Sequence, residues 1–141
     1  MVRRRSDHHT RSPDVSIEFE NDPGAPAAVR RGLRPLFSSP ADPIADLVEL
    51  VASELVSNVV QHTDGGGTAQ AWDPDPDVPF LLEVTDSGSG EPAAATPNDD
   101  GGRGLRIVDD IADRWGVNPR TGGKTVWAEF DRTEPDEPDD G

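Results

Sequence analysis

The sequence has no cysteine, only one lysine among its thirteen basic residues, and no long apolar run. Without cysteine there is no disulfide, no thiol nucleophile and no cysteine-ligated metal, which fits a cytoplasmic protein. A helix crossing a bilayer needs about 20 apolar residues, and no stretch approaches that. The basic opening Met1-Val2-Arg3-Arg4-Arg5 is not followed by an apolar segment, so it does not read as a secretory signal. Positive charge is also scarce. Lys and Arg total 13 against 28 Asp and Glu, a formal net charge of -15. A field of that sign repels phosphate backbones and disfavours direct binding to nucleic acid.

What is present suffices for one modest core. The 141 residues are 33% hydrophobic, and the apolar residues concentrate away from both ends. Residues 1–14 read as a disordered basic tail, 15–131 as one folded domain, and 132–141 as a disordered acidic tail.

Within the domain, Val15–Glu20 alternates apolar and polar residues and predicts a strand. Asn21-Asp22-Pro23-Gly24 is turn chemistry. Helical spacing of Val29, Leu33, Leu36 and Phe37 predicts a helix over 25–37, weakened by Gly32 and Pro35. A long helix then runs to about His62. Asp42 is its expected N-cap and Pro43 its first residue, with Ile44, Leu47, Val48, Val51, Leu55 and Val59 as its apolar stripe.

Thr68–Trp72 and Phe80–Thr85 read as strands. Residues 91–101 read as a mobile loop. Leu105, Ile107, Val108 and Ile111 mark a short helix, and Trp115–Val117 and Thr125–Phe130 a closing pair of strands around a turn at 120–123. Strands that follow one another in pairs favour an α+β sandwich, with helices on one face of a mixed, mostly antiparallel sheet.

Four constellations carry chemistry. Glu54, Asn58 and His62 follow one another at i, i+4, i+8 on the long helix. At about 100° per residue, Asn58 falls inside the arc of Val51 and Leu55, with Glu54 at its edge. A carboxylate and an amide one turn apart beside a core face suit an oxygen-bound metal ion and a polarised hydroxyl; a water-facing boundary position is the plain alternative. Asp86-Ser87-Gly88-Ser89-Gly90 follows an apolar strand, where an aspartate meets ligands and glycines admit a flat molecule, or simply form a tight turn. Asp100-Gly101-Gly102-Arg103-Gly104-Leu105 opens a helix, as a linker, a cap or a phosphate loop. Gly122-Gly123-Lys124-Thr125 reads alone as a hairpin turn.

In this order and spacing, the four resemble the N, G1, G2 and final boxes of the gyrase, heat-shock chaperone, histidine-kinase and mismatch-repair (GHKL) ATPase superfamily. The likeness spans about residues 15–131. The stretches "ELVSNVVQHT" and "GGRGLRIVDDIADRWG" look like the anti-sigma-factor serine kinases and the small actinobacterial ATP-binding regulators related to them.

The resemblance implies a Mg-ATP site beneath a lid at residues 91–101. Asn58 would ligate Mg²⁺, and Glu54 would be the general base for a partner's serine. Asp86 would accept the adenine amino group, assisted by Thr125 through water. Gly88 and Gly90 would admit the nucleotide, and Gly102, Arg103, Gly104 and Leu105 would form the phosphate-facing helix start. His62 is expected to be structural. The implied partners are an anti-sigma-factor antagonist and, as a further candidate, a sigma factor, with a homodimer left open. A nucleotide-gated binding module without phosphoryl transfer is the alternative activity. The sequence has no histidine-bearing dimerisation helix of the kind a complete sensor kinase carries.

Overall fold

The computed structural model describes residues 12–37, 42–63, 65–73, 78–86, 102–120 and 123–131. Five strands and three helices follow one another as β1 (Val15–Phe19), α1 (Ala25–Leu33), α2 (Ala45–His62), β2 (Gly67–Trp72), β3 (Phe80–Asp86), α3 (Gly102–Ile111), β4 (Arg114–Arg120) and β5 (Gly123–Phe130). The spatial order is β1-β2-β3-β5-β4. Every pairing is antiparallel, so the sheet expected to be mixed has no parallel pair among the described residues. The long connections after β1 and β3 return as helices on one face; β2 comes back antiparallel beside β1, whereas β4, placed one strand beyond β5, runs in the same direction as β3.

Side-chain alternation divides the sheet cleanly. Phe19, Ala69, Ala71, Phe80, Leu82, Val84, Val126, Ala128 and Phe130 face the helices and join one core with Val29, Leu33, Val48, Val51, Leu55, Val56 and Val108. Phe80 is fully buried in it, stacked on Phe37 at 5.5 Å and edge-on to Phe130 at 6.3 Å between ring centroids. Such pairs contribute roughly 0.5–1.5 kcal/mol beyond their buried area. The opposite face carries a smaller cluster of Trp72, Leu81 and Trp127.

α1 ends at Leu33, and a 3-10 turn over Arg34–Leu36 takes up the Pro35 break. Gly32 has a packing reason to be in a helix. A Cβ there would stand 2.5 Å from Ile17 Cδ1, so glycine lets α1 lie close on β1.

The start of α2 differs from the capping expected. Asp42 closes a turn ahead of the helix: its carboxylate accepts from the Ile44 N–H at 3.1 Å and its carbonyl from Ala45 at 3.0 Å. Ile44 is the N-cap, without a side-chain cap bond, and Pro43 lies outside the helix. The buried face is also rotated from the expected stripe. Ala45, Ala52 and Val56 are buried, whereas Leu47 is 39% exposed. The core reaches around α2 because it packs on α1 and α3 as well as on the sheet.

At its other end, α2 is tied to the β1–α1 loop. The Asn21 amide donates toward the carbonyls of Val60, Thr63 and Gly65 at 2.8–3.2 Å, covering acceptors that a helix C-terminus leaves open.

Candidate functional site

Asp86 is the last residue of β3, and it shares the helix-facing side with Phe80, Leu82 and Val84. It is buried, at 7% exposure. Two neighbouring strands shape its surroundings. On β2, Gly67 pairs directly with Asp86. A Cβ on Gly67 would stand 2.4 Å from the Thr85 carbonyl oxygen and 2.9 Å from Phe19. On β5, Lys124 lies one step beyond the Thr85–Thr125 pair, which places it across from Asp86. Its ammonium is 3.6 Å from Asp86 Oδ2. A Cβ on Gly123 would come within 2.2 Å of Asp86 Oδ1. Glycine at 123 thus leaves the carboxylate room that a larger side chain would take, and glycine at 67 lets β2 lie close on Thr85 and Phe19.

The same alternation separates Thr125 from Asp86. Thr125 follows Trp127 to the far face, where its hydroxyl lies 2.8 Å from that of Thr85. The resemblance implies that Thr125 assists Asp86 through water; by strand alternation Lys124 is the β5 residue on the Asp86 side. By sequence alone Lys124 reads as part of a hairpin turn. Counting back from Phe130 along an assigned β3–β5 register would have found it.

Glu54 and Asn58 lie one turn apart on α2, both half-buried. Asn58 borders the packed arc of Val51, Leu55 and Val59; it does not lie inside it. This is the boundary position, where an amide and a carboxylate keep contact with solvent or ligand while the helix beneath them is held rigid. His62 is exposed at the helix end.

α3 begins at Gly102, so Gly102, Arg103 and Gly104 form its first turn, where backbone N–H groups have no partner within the helix. Leu105 at 8% and Val108 at 0% exposure anchor that turn to the core beside α2. Gly88, Gly90 and the expected lid at 91–101 lie outside the described residues.

The donor set fits a nucleotide. A buried carboxylate beside Gly123 would suit one end, and the amide–carboxylate pair on α2 the other. A ten-residue helix starts at Gly102, with Gly104 also in its first turn.

The family model for the histidine kinase-like ATPase domain matches residues 19–130, and the chain belongs to that family, within the GHKL superfamily. Domains of this kind bind ATP, generally with Mg²⁺. No curated protein matches the chain. Among solved structures, the histidine kinase domain of the blue-light activated histidine kinase from Erythrobacter litoralis EL346 is similar. It shares 24% identity, with a TM-score of 0.48 over 62% of this chain and 44% of that one. This chain therefore spans less than half of that structure's length. Among the described residues, no helix is long and apolar enough to cross a membrane.

Proposed function

We propose that this protein is an ATP-binding regulator that acts as a serine protein kinase of the anti-sigma-factor type, phosphorylating an antagonist protein in the cytoplasm. The observation that carries this reading is the Glu54–Asn58 pair, held one turn apart at the half-buried edge of α2. A helix needs no such pair for packing, although a half-buried boundary accommodates one. A phosphoryl-transfer site needs both.

In this reading Asn58 would hold Mg²⁺, which would supply charge neutralisation when bound. Glu54 takes the proton from a serine hydroxyl as its oxygen bonds to the γ-phosphorus, while the bond to the β-phosphate oxygen breaks and ADP leaves. Asp86 orients the base by accepting its amino group. The first turn of α3 presents N–H groups to the phosphates. Catalysis on this plan is mostly positioning.

The partner's approach is also supported on α2. Leu47 and Leu50, 39% and 42% exposed, lie on the same flank of the helix as Glu54, at i-7 and i-4 from it. A protein that sets its serine at Glu54 would pass over them. A sigma factor or a second copy of the chain are further partners this reading allows.

Two measurements test the reading. Calorimetric titration with Mg-ATP should show binding that Asp86→Asn weakens by roughly tenfold or more, the order expected for losing a buried charge-assisted hydrogen bond. Asn58→Ala should mainly remove the magnesium-dependent part. Equal affinity in all three would end the nucleotide assignment. Incubation with Mg-ATP and candidate antagonist proteins should then yield phosphoserine that Glu54→Ala abolishes. ATP binding and partner control that survive in Glu54→Ala would instead identify a nucleotide-gated binding module.

A further inference from the structure

We propose that the basic N-terminal segment, residues 1–11, docks on the far face of the sheet, across Trp72, Leu81, Trp127 and Glu83. The proposal is independent of the nucleotide reading above.

An antiparallel sheet with helices on one side ordinarily turns a polar, wet face to the other. Here the far face is dry. Trp72 is 6% exposed, Leu81 0%, Trp127 2% and Glu83 9%. Among the described residues, no helix or strand lies over this face. Neighbours within a sheet shield a side chain from the flanks and leave its top open, and the Trp127 indole already lies low. It lies flat against β4 at Gly116, where a Cβ would stand 2.8 Å from Trp127 Nε1. Exposures this small on so large a ring require a covering layer.

Charge and chain geometry identify the cover. Glu18, Glu83 and Glu129 lie on this face by strand alternation, with Arg114 beside Glu129. A layer laid over carboxylates has to carry positive charge or donors. Residues 1–11 hold Arg3, Arg4, Arg5 and Arg11 against one acid, Asp7. A guanidinium also stacks on an indole face. Residues 132–141 hold Glu134, Asp136, Glu137, Asp139 and Asp140 against Arg132, the same sign as the face. Residues 74–77 join β2 to β3 and are too few to reach Trp127.

The segment also enters at the right place. The Asp14 N–H donates to the Ala71 carbonyl at 2.8 Å, and the Asp73 N–H donates to Asp14 Oδ2 at 2.7 Å. The chain is thus fixed next to Trp72, at the head of a row that crosses the sheet as Trp72, Leu81, Glu129 and Arg114. That row spans three strand spacings, about 14 Å, whereas eleven extended residues reach about 36 Å. On this assignment the chain supplies its own cover for an apolar, acidic face.

The test uses the full chain, whose lack of cysteine allows one label at a chosen position. A nitroxide on Ser6→Cys is observed through the indole N–H signals of the three tryptophans in ¹⁵N-labelled protein, with the reduced label as the reference. Trp72 and Trp127 should broaden severalfold. Trp115, on the helix side of β4 and packed against the main core, should broaden less. Charge reversal by Arg3→Glu, Arg4→Glu and Arg5→Glu in the same labelled chain should restore the Trp72 and Trp127 signals, with a thermal melt showing that the domain stays folded.

Equal intensity with and without the active label would overturn the proposal, as would equal broadening of all three indoles. Stronger broadening from a nitroxide on Thr133→Cys would assign the cover to the acidic tail and overturn it too. Broadening in a mixture of labelled ¹⁴N chain and unlabelled ¹⁵N chain, at the level seen in the single chain, would place the segment on a second copy and overturn docking within one chain.

Discussion

Asp86 shows how much one side chain's meaning depends on its neighbours' lack of side chains. Gly67 pairs with Asp86 across the ladder and Gly123 lies against its carboxylate, and the two positions fail differently when filled. A Cβ at 67 meets the Thr85 carbonyl, which is backbone and cannot yield without moving β3. A Cβ at 123 first meets the Asp86 carboxylate, with the Asp86 carbonyl next at 2.8 Å. Gly123→Ala should therefore weaken Mg-ATP binding at least severalfold while shifting the melting temperature by only a few degrees, on the order of 1 kcal/mol. Gly67→Ala should lower stability by more, about 1–3 kcal/mol, in denaturant titration. A larger stability loss at 123 than at 67 would contradict this division. From the sequence, the D-x-G-x-G pattern marks Asp86 as a candidate. Its clamp was invisible there because Gly67 and Lys124 lie 19 and 38 residues away in opposite directions.

At the level of elements, the edge strand β4 is held by charge as well as by its ladder. Arg114 Nε donates to Glu129 Oε1 at 2.7 Å, and the guanidinium also bonds Asp131. Glu129 is fully buried on the far face of the sheet. Hydrogen bonding to Asp131 first, and to Glu129 next, raises the Arg114 pKa above its ordinary value, so the guanidinium stays charged at any pH the fold survives. Arg114→Ala removes that compensation from a carboxylate taken out of water. It should cost about 2 kcal/mol by urea unfolding, less than a fully buried pair because Arg114 remains about a third exposed. The Asn21 tether works on the other side of the domain. Asn21→Ala should cost about 1 kcal/mol and fray the last turn of α2, readable by hydrogen exchange at Val60–Thr63. The sequence marked both regions only as a strand and a turn. Amphipathic period gave α2 its existence and nearly its end at His62. Its start came out a few residues late because Asp42-Pro43 makes a separate turn, a choice that local capping preference does not decide.

Across the whole molecule the net charge of -15 works against compaction and against an anionic ligand. Raising ionic strength from about 0.01 to 0.15 M shortens the screening length from roughly 30 to 8 Å. The melting temperature should rise over that range. A fall would mean that attractive pairs such as Arg114–Glu129 outweigh the general repulsion. The sequence by itself determined the order of elements, the two-layer class and the residues able to carry chemistry. Those features are written in local periodicity, turn residues and box spacing. Only the tertiary structure decided that every strand pairing is antiparallel, that Thr125 turns to the far face and that Lys124 stands beside Asp86. The physical reason is register. Side chains on a strand alternate with period two, so one residue of offset between β3 and β5 exchanges which of Lys124 and Thr125 meets the aspartate, and register is fixed by packing across the sheet, far from either residue in the chain.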